Sequence, residues 1–243
     1  MIGCVDVRFW FDPVCPFCWM TSKWLRLVAP RRDLAIEWRF ISLRLLNAHV
    51  DYDEQFPPEY EAGHTAGLRM LRVAARVREE HGPEALDRLQ DAFGRHVFEQ
   101  EPVPDTAEAK GAHGTDRFVA GVLTTAGLSP ELAESVEDRG WDAIVRAETD
   151  EALAATGRDV GTPIVQIDPP DGLAFFGPVI SRMPSEEQAG ELWDHAVGLV
   201  RFPGFAELKR SLREQPQLPA FGVAAGEVGV VEDWHGGSRR RHR

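Results

Sequence analysis

Residues 5–28 read Val5-Asp6-Val7-Arg8-Phe9-Trp10-Phe11-Asp12-Pro13-Val14-Cys15-Pro16-Phe17-Cys18-Trp19-Met20-Thr21-Ser22-Lys23-Trp24-Leu25-Arg26-Leu27-Val28, and the hydrophobic period changes midway. Val5, Val7, Phe9 and Phe11 alternate with Asp6, Arg8 and Trp10, which is the period of a strand. Asp12-Pro13-Val14 ends it. Beyond Cys15 the apolar residues Met20, Trp24, Leu27 and Val28 fall at helical spacing. Thr21, Ser22, Lys23 and Arg26 are expected on the opposite face, and Pro30 is expected to close the helix. Ile36, Trp38 and Phe40 then alternate as a second strand. A β–α–β opening of this kind favours a parallel pair with a right-handed crossover.

Cys15 and Cys18 stand where the first strand hands over to the helix. Their three-residue spacing puts both side chains on one face of the first turn, within disulfide reach. The first cysteine lies among unpaired backbone N–H groups at the positive end of the helix dipole, which favours a thiolate. Pro16 suits this turn because it has no N–H to leave unsatisfied. Cys18, one turn deeper, is expected to keep its proton until needed. A structural zinc site is the competing reading, but it needs further ligands, and the third cysteine is Cys4. No metal is therefore expected. Cys4 itself reads as a small core residue. Trp24, Trp38 and Trp193 fall at core spacing, whereas Trp19 could equally edge the site.

From about Tyr52 to Thr156 the pattern is helical, without a convincing strand. Apolar stripes run through Met70–Val77, Leu86–Val97 and Phe118–Ala126, a start signal stands at Ser129-Pro130-Glu131, and Trp141–Val145 belong to a further helix. Strands return with Pro163–Ile167, turn through Asp168–Gly172, and come back through Leu173–Phe176. Ser185 and Gln188 form a capping box before a helix carrying Ala189, Leu192, Trp193, Ala196, Val197 and Val200. A shorter helix is expected from Phe205 to Leu212. The order β–α–β, helical block, β–β–α is a thioredoxin-like α/β arrangement with a large helical insertion. Residues 1–50 and 157–215 would make one discontinuous domain, 51–156 the insertion, and 216–243 a loose tail. Gly161-Thr162-Pro163, just before the third strand, stands where such folds place a cis-proline loop facing the dithiol.

The 243 residues carry a net charge of −12, which argues against a nucleic-acid or membrane-surface partner despite the Arg239–Arg243 tail. No apolar run approaches the roughly 20 residues of a membrane span. The first residues lack a secretory pattern, so a cytoplasmic location is expected, where a disulfide would be transient and catalytic.

Phe11 to Trp19 resembles the active-site segment of DsbA-type proteins, and more closely that of the mycothiol-dependent nitroreductases of actinobacteria. Ser42-Leu43 through Asn47, Glu59–Gly63, Val160–Pro163, Ala174–Val179 and Glu207–Arg210 extend the resemblance across about residues 5 to 218. It implies a homodimer whose dithiol is reduced by mycothiol and passes electrons, without flavin, to disulfides or nitro-aromatic compounds. Cys15 would be the nucleophile and Cys18 its redox partner. Thr162-Pro163 would be the facing loop, with Pro16, Phe17, Trp19, Asn47 and Tyr60 near the thiol or substrate. The dipeptide between the cysteines is usually Pro-Trp in this family and is Pro-Phe here. A histidine often stands about where this chain has Phe98. The alternatives are a DsbA-like protein disulfide oxidase or isomerase, a kappa-type glutathione transferase relative and a redox-sensing module without turnover. Cys18 counts against the glutathione transferase reading.

Overall fold

The structure, a computed structural model, describes residues 5–231; Cys4 and the Arg239–Arg243 tail lie outside them. Strand β1 (Val7–Phe11) is followed by helix α1 (Pro16–Arg32) and strand β2 (Ile36–Phe40). β1 and β2 pair in parallel, with Val7 opposite Ile36 and Phe11 opposite Phe40. β3 (Ile164–Ile167) runs antiparallel to β1, and β4 (Ala174–Phe176) antiparallel to β3, giving the order β2-β1-β3-β4. Helix α9 (Glu186–Val200) follows, its start fixed by the reciprocal Ser185–Gln188 capping box. This is the thioredoxin-like arrangement expected from the sequence.

Central position in the sheet explains the first departure from a simple alternation. Trp10, placed with Asp6 and Arg8 by its period, is fully buried beside Ile41, Ala152 and Ile164 on the second face of the sheet. Phe9, Phe11, Trp38 and Phe40 pack on the first face with α1. A strand covered on both sides has no polar face to show. The same crowding makes α1 less amphipathic than its sequence. Thr21 and Ser22 are buried, the one bonding Pro178 O at 2.9 Å and the other Trp19 O at 2.8 Å. Nor does Pro30 close the helix, which runs to Arg32. It ends where Asp33 takes a left-handed conformation (φ 53°) and donates its N–H to Ala29 O.

Between β2 and β3 the chain is helical: α2 (Leu43–Leu46), α3 (Tyr52–Gln55), α4 (Pro58–His81), α5 (Pro83–Phe98), α6 (Ala107–Ala112), α7 (Asp116–Thr125) and α8 (Asp142–Thr156). Ser129-Pro130 does start a helix, but a 3₁₀ one over Pro130–Glu137. Leu71, Val73, Leu86, Phe93 and Val122 of this block join the apolar cluster that holds Phe9, Trp24 and Phe40, so block and sheet share one core. Glu148 of α8 is the main polar joint. It accepts the Phe40 N–H at 2.8 Å and pairs with Arg78 of α4 at 2.7 Å, while Thr149 Oγ1 accepts the Ser42 N–H. These bonds fix the chain as it leaves β2, and thereby the start of α2.

Two expectations at the C-terminal end give way. Phe205–Leu212 is not helical, and Leu208 and Leu212 are exposed. A segment this short is not held helical by its own hydrogen bonds when no apolar face is covered. The loose tail expected from 216 is instead packed in its first part. Leu218 is fully buried, Phe221 stacks on Phe98 with ring centroids 6.5 Å apart, and the Gln217 N–H bonds Ser181 O at 2.7 Å; just ahead of the tail, buried Glu214 takes a two-pronged bond from Arg182. Among the described residues, no helix is long and apolar enough to cross a membrane.

Candidate active site

Cys15 is the N-cap residue of α1, with extended backbone angles (φ −86°, ψ 112°) and Pro16 at the first helical position. Its Sγ accepts the Cys18 backbone N–H at 3.3 Å and the Thr162 hydroxyl at 3.1 Å. The sulfur therefore takes the place that a Ser or Asp oxygen occupies in an ordinary cap. Both cysteines are thiols and both are buried, Cys15 at 5% exposure and Cys18 at 1%. Burial pushes the Cys15 thiol up, but hydrogen bonds from the Cys18 thiol, the Thr162 hydroxyl and the Cys18 N–H outweigh it and lower the pKa. Cys18 goes the other way, raised well above its ordinary value by burial and then by the hydrogen bond and charge of Cys15. One sulfur is thus prepared as an anion and the other as an acid.

The Thr162-Pro163 bond is cis, and the loop places Thr162 against the nucleophile from the start of β3. Trp19 lies beneath the dithiol rather than at its mouth. It is 3% exposed, and its indole N–H bonds Glu99 at 2.7 Å, on the same carboxylate oxygen that Lys23 reaches at 2.6 Å. Pro16 and Phe17 are half-buried on the first turn.

Asp12 is the residue that sequence reasoning passed over. It is 1% exposed, and its carboxylate accepts the Val14 N–H at 3.0 Å and the Leu43 N–H at 2.7 Å. The first bond shapes the turn into Cys15, and the second ties that turn to the start of α2. Asn47 caps the end of α2 and donates its side-chain amide back to Leu43 O at 2.9 Å, so it steadies the segment that holds Asp12. Helix α4 closes over the carboxylate at Gly67, where a Cβ would stand 2.5 Å from Asp12 Oδ1 and 2.8 Å from Val14 Cγ2.

Tyr60 and His64 lie on the same stripe of α4 as Gly67. Seven residues, about 10 Å of helix, separate Tyr60 from the point where α4 touches the active-site turn. Tyr60 stacks on Phe56, and His64 shares a 2.9 Å hydrogen bond with the Tyr52 hydroxyl. Burial pushes His64 down to about 4, so the cluster presents a neutral imidazole at ordinary pH. Phe98 lines none of this; it is buried against Phe221. Among the described residues, no group of three or more His, Cys, Asp or Glu side chains gathers as metal ligands.

A family model described as Rv2466c-like, mycothiol-dependent nitroreductase Rv2466c, matches residues 14–210, a span that includes both cysteines and the Thr162-Pro163 loop. The chain belongs to this family. Uncharacterized protein Rv2286c of Mycobacterium tuberculosis is 31% identical over 215 residues, which cover 88% of this chain and 83% of that one. The fold is also that of the probable DsbA oxidoreductase SCO1869 from Streptomyces coelicolor. That structure superposes with a TM-score of 0.51 at 18% identity, over 92% of this chain and 98% of the other. Membership of the family makes the chain an oxidoreductase. The segment 214–231, packed against Phe98 and Arg182, lies beyond the family match.

Proposed function

We infer that the protein is a dithiol reductase in which Cys15 and Cys18 carry two electrons from mycothiol to a small disulfide or a nitro-aromatic compound, with no flavin or metal taking part. The observation that supports this most is the pair of donors, Cys18 N–H and Thr162 hydroxyl, converging on Cys15 Sγ. Hydrogen bonds to a charged acceptor are about twice as strong as neutral ones, so they favour the thiolate over the thiol. With a disulfide substrate, Cys15 thiolate attacks one sulfur and the other leaves as a thiolate. The Cys18 sulfur then attacks Cys15 Sγ, expelling the second substrate thiolate and closing the Cys15–Cys18 disulfide. A nitro group would take the same two electrons, with two protons, as the pair closes.

Regeneration reverses the chemistry. One thiol attacks the enzyme disulfide at Cys15 and frees Cys18, and a second thiol releases the mixed disulfide from Cys15. Asn47, Tyr60 and the exposed edge of Phe17 form the wall proposed for the small thiol, with Thr162-Pro163 opposite. Residues 51–156 are read as the insertion that supplies this wall, and the working form as a cytoplasmic homodimer.

Turnover with NADPH is expected to require both mycothiol and a mycothiol disulfide reductase. Cys15→Ser should abolish it. Cys18→Ser should retain a measurable part, because the small thiol can itself resolve the adduct on Cys15. Oxidised protein regaining its thiols rapidly with thioredoxin but not with mycothiol would move the assignment to a protein-disulfide oxidoreductase.

A further inference from the structure

At the end of the sheet away from the dithiol, α9 and the ends of β1 and β3 leave a cleft of about 420 Å³. Its size falls within the range of small-molecule sites, about 300–1,000 Å³. The five residues of β1, about 17 Å of extended chain, separate it from the active-site turn. Leu34, Ile167, Trp193 and Val197 give it an apolar lining, with Trp193 buried and backed by Trp24 at a ring-centroid distance of 5.9 Å. Gly198 keeps the cleft open. Glycine is, after proline, the poorest helix former, yet it stands here inside α9, where a Cβ would meet no atom within 4 Å. Packing does not require it; what the missing side chain provides is room beside Trp193 and Val197.

The charged side chains of the cleft do not balance. Arg32 grips Asp194 with two bonds, of 3.0 and 2.6 Å, and Arg201 reaches Asp168 at 2.7 Å. That leaves Asp6. One of its carboxylate oxygens accepts the Ala35 N–H at 2.8 Å, and among the described residues no cation pairs with it. The Asp168 N–H donates to the Asp6 carbonyl at 3.0 Å, so the backbone holds these two acidic residues side by side. We propose that the cleft binds a small organic monocation, a primary ammonium on an aromatic or branched apolar body, with the ammonium on Asp6 and the body against Trp193 and Ile167. The unmatched carboxylate sets the charge, and a charge-assisted hydrogen bond to it orients the ligand. The indole favours the same sign, because a cation is drawn to the face of an aromatic ring. An anion would have to take a guanidinium from Asp194 or Asp168, next to a carboxylate that repels it. No bond forms or breaks in this site, and it does not depend on the dithiol reading.

The test is a titration of the intact protein with phenethylamine, a cation at neutral pH, and separately with phenethyl alcohol, its neutral counterpart, followed by backbone amide chemical shifts. The amine is expected to give saturable shifts centred on Ala35, Asp168 and Gly198. The alcohol should bind more weakly by about 10-fold, the lower end of what a hydrogen bond to a charged group contributes. Asp6→Asn keeps an acceptor for the Ala35 N–H and should bind the two compounds alike. Gly198→Leu places a side chain in the cleft and should lose the amine shifts. It should melt no lower than wild type, since leucine is the better helix former. Equal affinity of wild type for amine and alcohol, or an amine affinity unaltered in Asp6→Asn, overturns the assignment of charge. Shifts that do not saturate or that centre away from the cleft, or amine binding retained in Gly198→Leu, overturn the site. If Asp6→Asn does not fold, the comparison of amine with alcohol on wild type and the Gly198→Leu result decide.

Discussion

Replacing Asp12 with Asn is expected to remove about 4 kcal/mol of pH dependence from the folding stability between pH 4 and 8. The carboxyl titrates at 3.8 as a free side chain and at about 7 in the folded protein, where burial outweighs two backbone hydrogen bonds. Between those values the unfolded chain has released the proton and the folded chain still holds it. Stability contributed by this group is therefore fully present below about pH 4 and is lost as pH rises through 7. The loss is about 1.4 kcal/mol for each pH unit in the window. Urea unfolding of wild type and Asp12→Asn at both ends of the range measures it. The difference between the two proteins should narrow or reverse toward high pH, where wild type has an ionised carboxylate in an enclosed site. Parallel pH profiles for the two would mean that Asp12 is not buried as described.

The second large effect is expected at Gly94. On an exposed helix, Gly→Ala gains up to about 1 kcal/mol, because alanine has the higher helix propensity. At position 94 of α5 the sign should reverse. A Cβ there would lie 2.0 Å from Trp19 Cε3 and 2.3 Å from two further ring atoms. The indole cannot step aside, because its N–H is held by Glu99 and its ring is packed in the core directly after Cys18. Gly94→Ala is expected to cost about 3 kcal/mol, the upper part of the range for overpacking. It should also disturb the redox behaviour of Cys18 by moving the residue beside it. A thermal shift toward higher stability would show that Trp19 does not lean on α5.

Much of the fold and of the dithiol turn is legible in the sequence. The strands of the sheet and the dithiol turn declare themselves through local period and spacing, and Ser185 and Gln188 form the capping box that the sequence spells out. What escaped depends on contacts made from far along the chain. Thr21 and Ser22 look like a solvent face, yet both are buried, and Thr21 bonds the Pro178 carbonyl 157 positions further on. Phe205–Leu212 has helical spacing, but no surface covers it. Asp12 did leave a signal, being the one charged residue between Arg8 and Lys23. Its environment, however, is made by Leu43 and Gly67, which lie 31 and 55 positions further on. Sequence periodicity cannot report a partner at that distance. Thr162, by contrast, was placed opposite Cys15 through resemblance, and its hydroxyl is on the sulfur.

The central claim is that Cys15 is the activated sulfur of a pair whose second member stays protonated. It is tested most directly by limited alkylation of the reduced protein at about pH 6, where a free thiol is almost entirely protonated, followed by mass spectrometry of the cysteine-containing peptides. The hydrogen bonds on Cys15 Sγ predict that label enters Cys15 first and well ahead of Cys18 and Cys4, and that Thr162→Val slows this step. Label entering Cys18 or Cys4 before Cys15 would contradict the account.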